Sequence, residues 1–185
     1  MLIAAVIIAA SVSSIAGDLV FDVCQGYYSG IKLPYRKAIS NGDGNGKYAF
    51  VIYLHGGSSK GNDNNKQLEE KGIDSIANYI LRHNEKAVFV VPQCPSDKSW
   101  GGPMLSVLKG LIDEQMQAAD MDHNRIYIFG GSMGGTGTWS MLSAYPGLFT
   151  SAMPVAGNPS QCIADNVVKT PIFTVMGTAD RIMSV

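Results

Sequence analysis

The stretch IYIFGGSMGG, residues 126–135, decides how this chain folds. Four apolar residues are followed at once by Gly130, Ser132 and Gly134, which match the pattern G-x-S-x-G. In that pattern a buried strand passes through a sharp turn into a helix, and the turn holds a serine oxygen clear of the backbone. The glycines are there because the turn is too tight for side chains. The stretch therefore predicts a strand, an exposed Ser132 hydroxyl and a helix, in that order.

Segments on both sides of this stretch alternate between strand patterns and helix patterns. Short apolar runs bounded by turn residues predict strands at 48–54, 87–91, 126–129, 149–155 and 171–176. Apolar residues at helical spacing predict helices at 67–82, from Pro103 onward, and at about 134–145. An antiparallel pair, Val20–Tyr28 with Ile31–Lys37, precedes them. This alternation predicts an α/β fold with a mostly parallel sheet that is covered on both faces.

Several polar or glycine-rich segments follow directly after predicted strands. They are His55-Gly56-Gly57, Pro92-Gln93, Ser132 and Gly177-Thr178-Ala179-Asp180. In open parallel sheets, ligands bind at the carboxyl ends of the strands. We therefore expect these segments to gather at one edge of the sheet and to form the functional site there.

Composition limits the classes of partner that are expected. The chain has 185 residues, is 46% hydrophobic and 16% charged, and carries a formal net charge of −1. This is an ordinary globular composition without a basic cluster, so no nucleic-acid partner is expected. The three cysteines, Cys24, Cys94 and Cys162, fit no zinc spacing. They leave open either one disulfide with a spare thiol or three buried thiols.

The N-terminus is apolar or small from Leu2 to Ala16, without a charged residue. Ser14-Ile15-Ala16 is a small-x-small pattern, so residues 1–16 are interpreted as a signal peptide and 17–185 as the mature domain. A membrane anchor and a buried strand are the alternatives. With cleavage, we expect a secreted or periplasmic protein that is not bound to a membrane.

Three of these segments together resemble the α/β-hydrolase superfamily. They are Leu54-His55-Gly56-Gly57, residues 125–135 around Ser132, and Met176 to Asp180. The chain is similar to secreted feruloyl and acetylxylan esterases, polyhydroxybutyrate depolymerases and related predicted peptidases. The resemblance implies a doubly wound, mostly parallel sheet and no metal or organic cofactor.

The resemblance also implies roles for individual residues. Ser132 is the expected nucleophile and Asp180 the expected acid of the triad, while the backbone N–H groups of Met133 and Gly57 form the expected oxyanion hole. The alternatives are a phosphate-binding turn at Ser132 and a simple helix cap at Asp180. His55 is expected to brace its loop, not to act as the base. Trp100 is expected either to wall the substrate site or simply to pack.

The base of such a triad follows the acid in chain order, yet no histidine follows Asp180. His83 and His123 precede predicted strands, which places them at the opposite edge from Ser132. We therefore expect a chain truncated at its C-terminus, lacking the last strand and helix, and inactive for want of the histidine.

The functional expectation is a serine hydrolase of carboxylic esters that forms an acyl-enzyme on Ser132. Its substrate would be a small-molecule or polymer-linked ester, such as an ester on polysaccharide or a polyester. The alternatives are a serine peptidase of the prolyl-oligopeptidase type, which shares the G-x-S-x-G turn, and a non-catalytic protein of the same fold. A histidine codon soon after Val185 in the gene would favour an enzyme, and a stop codon there would favour the non-catalytic protein.

Overall fold

Six strands form one sheet in the order β1-β2-β4-β3-β5-β6. The structure is a computed structural model that describes residues 19–43 and 46–182; the predicted signal peptide lies outside the described residues. The strands are β1 (Asp22–Tyr28), β2 (Ile31–Ser40), β3 (Tyr48–Leu54), β4 (Ala87–Pro92), β5 (Met121–Gly131) and β6 (Ser151–Val155). The helices are α1 (Lys71–Arg82), α2 (Pro103–Gln115), α3 (Met133–Ala144) and α4 (Ala164–Val167).

The direction of the strands places the functional segments. Strand β2 is antiparallel to both β1 and β4, whereas β4, β3, β5 and β6 run parallel to one another. The parallel strands therefore all end at the same edge, at Leu54, Pro92, Gly131 and Val155. The prediction of a mostly parallel sheet with an antiparallel pair at its start is confirmed.

Helices cover both faces of the sheet, as expected for a doubly wound fold. Alternate residues of β3 point to opposite faces. Phe50 and Ile52 pack in one buried cluster with residues of α2 and α3, while Val51 and Tyr53 pack in a second cluster with α1. Burial of these apolar side chains holds the helices on the sheet.

The predicted strand at 171–176 is wrong in its extent, and Pro154 explains why. The segment makes only two isolated parallel bridges to β6, at Ile172 and Val175. The Phe173 N–H donates to the Ala152 carbonyl, but the next ladder bond would need an N–H from Pro154, which has none. The Thr174 hydroxyl donates to the Pro154 carbonyl instead, at 2.8 Å. The ladder is interrupted in the middle, and Phe173 is left 65% exposed.

The predicted helix at 67–82 also divides in two. A short 3₁₀ helix covers Lys66–Glu69, and α1 begins only at Lys71, because the backbone of Glu70 is extended. Over the described residues, no helix is long and apolar enough to cross a membrane.

Candidate active site

Ser132 occupies a strained turn between β5 and α3. Its backbone has φ 55° and ψ −117°, a conformation that residues other than glycine rarely adopt. Such strain costs on the order of 1–3 kcal/mol and persists only where the surroundings enforce it. Here the Ser132 N–H donates to the Val155 carbonyl at 2.9 Å, and the Ser132 carbonyl accepts from the Thr136 N–H at 3.0 Å. The predicted strand–turn–helix around an exposed serine is therefore confirmed.

Two glycines of the motif allow α3 to approach the sheet closely. A Cβ on Gly134 would collide with the Leu54 carbonyl at the end of β3 and would lie 2.9 Å from the His55 carbonyl oxygen. A Cβ on Gly130 would collide with the Gly134 carbonyl. Both obstacles are backbone atoms that cannot rotate away, so the turn requires glycine at these positions.

Met133 is the first residue of α3 and directly follows Ser132. The first N–H groups of a helix have no intrahelical acceptor, and the helix dipole favours negative charge beside them. The Met133 N–H is thus placed at a terminus suited to a developing oxyanion. Its predicted role as an oxyanion donor remains a prediction.

The loop after β3 lies against the serine turn. A Cβ placed on Gly56 would be 3.7 Å from both the Ser132 Cβ and the Gly131 carbonyl oxygen. The Gly56 N–H donates to Glu70 Oε1 at 3.0 Å, so this donor already has an acceptor. Gly57 opens a short 3₁₀ helix, and a Cβ there would meet no atom of the described residues within 4 Å. Gly57 thus remains the predicted second oxyanion donor.

His55 is fully buried at the base of this loop. Its Nε2 accepts a hydrogen bond from the Cys94 N–H at 2.9 Å, so the proton must be on Nδ1, which donates to the Gly56 carbonyl at 2.6 Å. Burial lowers the pKa of His55, although the bond to Gly56 opposes this. With both ring nitrogens occupied, His55 braces the loop and is not available as the base for Ser132.

Trp100 packs in the core, and its alternative role as a wall of the substrate site gains no support from this position. Its side chain is only 2% exposed and lies in the core cluster between the sheet and helices α2 and α3. The indole N–H donates to the His55 carbonyl at 2.9 Å, and the two rings meet edge to face. The packing alternative is the one observed, because the loop at 95–102 folds inward over His55.

The burial of neutral His55 predicts a pH dependence of stability. A histidine whose pKa is lowered by folding binds its proton more readily when unfolded, so stability is fully present above the unfolded pKa near 6.5 and is lost as pH falls below it. We expect the free energy of unfolding to fall between pH 7.5 and 5.5, by at most about 1.4 kcal/mol per pH unit. Urea titrations at several pH values measure how steeply the free energy of unfolding falls with pH. We expect a smaller slope in His55→Gln than in the wild type. The exposed His123→Gln variant is the matched control; an equal loss of slope there would contradict the assignment.

Asp180 lies at the same edge as Ser132. The Ala156 N–H donates to the Val175 carbonyl, and this places the following turn, Gly177 to Asp180, beyond the ends of the parallel strands. Asp180 Oδ1 accepts a hydrogen bond from the Ile182 N–H at 2.9 Å, which closes an Asx turn. The triad role and the helix-cap alternative both remain predictions.

The other two histidines lie away from Ser132. His83 follows the C-terminal end of α1. His123 is exposed near the start of β5, at the opposite end of that strand from Ser132. Neither can reach the serine.

The cysteines are all free thiols. Cys24 and Cys94 are buried, and burial raises the pKa of Cys94 to about 12, so this thiol is unreactive at neutral pH. Within the described ranges, no cluster of three or more His, Cys, Asp or Glu side chains could hold a metal ion.

Comparison with known proteins agrees with this geometry. The chain is 35% identical over 137 residues to poly(3-hydroxyalkanoate) depolymerase C from Paucimonas lemoignei, covering 69% of this chain and 31% of the depolymerase. A thermostable esterase of known structure superposes with a TM-score of 0.79 at 30% identity, over 92% of this chain and 49% of the esterase. A mutant of the feruloyl esterase module from Clostridium thermocellum, complexed with sinapinate, gives a TM-score of 0.66 at 12% identity, over 95% of this chain and 74% of the module.

No family model matches the sequence. The chain spans about a third of the depolymerase and about half of the thermostable esterase. The doubly wound sheet, the strained serine after β5 and these similarities together show that the chain has the α/β-hydrolase fold.

Proposed function

We propose that this protein is a serine hydrolase of carboxylic esters. The observation that carries the proposal is Ser132, held at φ 55° between β5 and α3 with the Gly56–Gly57 loop against it. Strain of this kind at an exposed serine presents the hydroxyl to a substrate. The similarity to an esterase and a polyester depolymerase supports ester substrates specifically.

The chemistry would run through an acyl-enzyme. The Ser132 oxygen attacks the ester carbonyl, its proton passes to a general base, and the carbonyl oxygen becomes an oxyanion. The N–H groups of Met133 and Gly57 would stabilise that oxyanion, each contributing on the order of 10²–10³ in rate. The base then returns the proton to the departing alcohol. Water hydrolyses the acyl-enzyme by the same sequence, which releases the acid.

The general base is the part of this machinery that residues 1–185 do not provide. The ring nitrogens of His55 are occupied, and His83 and His123 lie far from Ser132. We therefore propose that the histidine comes from sequence outside these residues, and that Asp180, at the same sheet edge as Ser132, orients it.

For the substrate class, we propose a small-molecule or polymer-linked ester. The matched proteins are a poly(3-hydroxyalkanoate) depolymerase and esterases, one of them a feruloyl esterase module. We also propose that the protein acts outside the cytoplasm, since the uncharged apolar segment Leu2–Ala16 has the pattern of a signal peptide.

The test is substrate turnover by the protein made from the complete reading frame of the gene. We expect hydrolysis of p-nitrophenyl acetate and p-nitrophenyl butyrate, little turnover of peptide p-nitroanilides, and loss of activity of about 10³-fold or more in Ser132→Ala. Ser140→Ala, in the second turn of α3, is the matched control and should keep full activity. Faster turnover of the anilides would identify a peptidase instead. Ester turnover that survives in Ser132→Ala would overturn the proposal.

A further inference from the structure

A carboxylate connects the loop after β3 to the start of α1. Glu70 Oε1 accepts two hydrogen bonds from that loop, one from the Gly56 N–H at 3.0 Å and one from the Ser59 hydroxyl at 2.9 Å. Glu70 lies eleven residues beyond Ser59 in the sequence, at the residue that precedes α1. These bonds tie both ends of the Gly56–Ser59 turn to one side chain.

We propose that Glu70 is a positioning residue for catalysis: it occupies the Gly56 N–H and fixes the loop so that the Gly57 N–H is the one presented to the oxyanion. This inference rests on the proposed ester hydrolysis at Ser132. Its basis is the position of Gly56 between the carboxylate and the nucleophile. A Cβ on Gly56 would be 3.3 Å from Glu70 Oε1 and 3.7 Å from the Ser132 Cβ, so the carboxylate and the nucleophile flank the same residue.

The anchor for this carboxylate is rigid. The Ile73 N–H donates to the Glu70 carbonyl at 2.9 Å in the first turn of α1, and Ile73 is fully buried against the sheet. A negative charge at a helix N-terminus is also favoured by the helix dipole. The position of the carboxylate is thus set by the packing of α1, and the loop takes its shape from the carboxylate.

The Tyr53 hydroxyl lies close to both the serine turn and the start of α1. It would lie 3.3 Å from a Cβ on Gly131, next to the nucleophile, and 2.6 Å from one on Gly72, in the first turn of α1. Burial, with a smaller contribution from the charge of Glu70, raises the pKa of Tyr53 to about 12. The Tyr53 hydroxyl therefore lies between the serine turn and the first turn of α1, the helix that begins directly after Glu70.

The functional consequence is a specific kinetic pattern. Without the carboxylate, the Gly56 N–H loses its acceptor and the loop can turn, which misplaces one of two oxyanion donors. Loss of one donor typically costs 10²–10³ in kcat. Because the substrate ground state carries no oxyanion, KM should change little. Glutamine retains an oxygen that can accept from Gly56, so it should preserve part of the activity.

The experiment compares Glu70→Ala, Glu70→Gln and the exposed neighbour Glu69→Ala in the protein from the complete reading frame. We expect kcat for p-nitrophenyl acetate to fall about 10–100-fold in Glu70→Ala with KM within about twofold, since one donor is misplaced rather than deleted. In Glu70→Gln, the decrease in log kcat should be at most half of the decrease in Glu70→Ala. Added formate should raise kcat in Glu70→Ala, because it can replace the missing carboxylate. The Glu69 variant should match the wild type, and melting curves identify any variant that fails to fold.

A second measurement does not depend on catalysis. In protein labelled with ¹⁵N-glycine, the Gly56 amide should exchange with solvent faster in Glu70→Ala than in the wild type, while the Glu69 variant leaves it unchanged. An unchanged Gly56 amide, or an unchanged kcat in a folded Ala variant of an active enzyme, overturns the inference. If the wild type hydrolyses no ester, the proposed function fails by itself. In that case the Gly56 amide exchange rate and the Gly57 amide chemical shift, compared between Glu70→Ala and the wild type, decide whether Glu70 fixes the loop.

Discussion

Gly134→Ala is expected to destabilise the protein by about 3 kcal/mol or more, the upper end of the cost of overpacking a well-packed core. The added methyl would collide with the Leu54 carbonyl, and the His55 carbonyl lies within 2.9 Å of the same position. Both are backbone atoms at the end of the central strand β3, so relief requires α3 to move away from the sheet. That movement would also break the bond from the Ser132 N–H to the Val155 carbonyl, which helps to enforce the strained turn.

Urea denaturation followed by circular dichroism measures this loss. The free energy of unfolding of a domain is typically 5–15 kcal/mol. The substitution therefore removes a large part of it, and the variant can fail to fold. Gly101→Ala is the matched control, because the nearest atom to a Cβ there is the Ser99 hydroxyl at 4.0 Å. We expect its midpoint to lie close to that of the wild type. Equal midpoints for the two variants would show that α3 does not approach β3 as closely as described.

Much of the fold could be predicted from sequence because local patterns and tertiary packing agree. Strand β3 spans Tyr48–Leu54 as predicted, since a fully apolar run between turn residues suits a strand buried on both faces. Helix α2 begins at Pro103, where a proline costs no hydrogen bond. The turn at Ser132 was predictable for a similar reason, because glycines at 130 and 134 are needed where helix α3 packs this closely against the sheet.

Other parts depended on partners that the sequence does not reveal. The 171–176 segment has a good strand pattern, but its pairing is decided by Pro154 in the neighbouring strand, which removes a ladder donor. The sequence left open whether Trp100 walls a substrate site or packs, and the buried acceptor for its indole, the His55 carbonyl, could not be foreseen. In both cases the deciding contact lies far away in the sequence.

Glu70 is the site residue that sequence reasoning missed. It is one of 15 acidic residues, and it belongs to no motif. Its bonds to Gly56 and Ser59 exist only because the predicted helix at 67–82 divides at this residue, so that α1 begins beside the loop after β3. The Met133 and Gly57 assignments, in contrast, rest on chain order relative to the serine and could be made without a structure.

The 185-residue chain itself is expected to react very slowly with a fluorophosphonate probe, although Ser132 is well presented. A serine hydroxyl is a weak nucleophile without an adjacent base, and the placements of His55, His83 and His123 leave Ser132 without one in this chain. In a serine protease, loss of the histidine lowers kcat by about 10⁶. We expect labelling to be at least about 10³-fold slower than in a hydrolase with a complete triad, because the oxyanion donors retain part of the catalysis.

Time courses of labelling, read by intact-protein mass spectrometry, test this expectation. Ser132→Ala gives the background, and the protein from the complete reading frame gives the rate with all of its catalytic groups. Since no histidine assists the reaction, the slow rate on the 185-residue chain should rise steadily with pH instead of levelling off above the pKa of an imidazole. Rapid stoichiometric labelling of Ser132 would mean that the chain holds a base after all. His55→Gln, His83→Gln and His123→Gln would then identify it, and a loss of labelling in the first of these would overturn the bracing role assigned to His55.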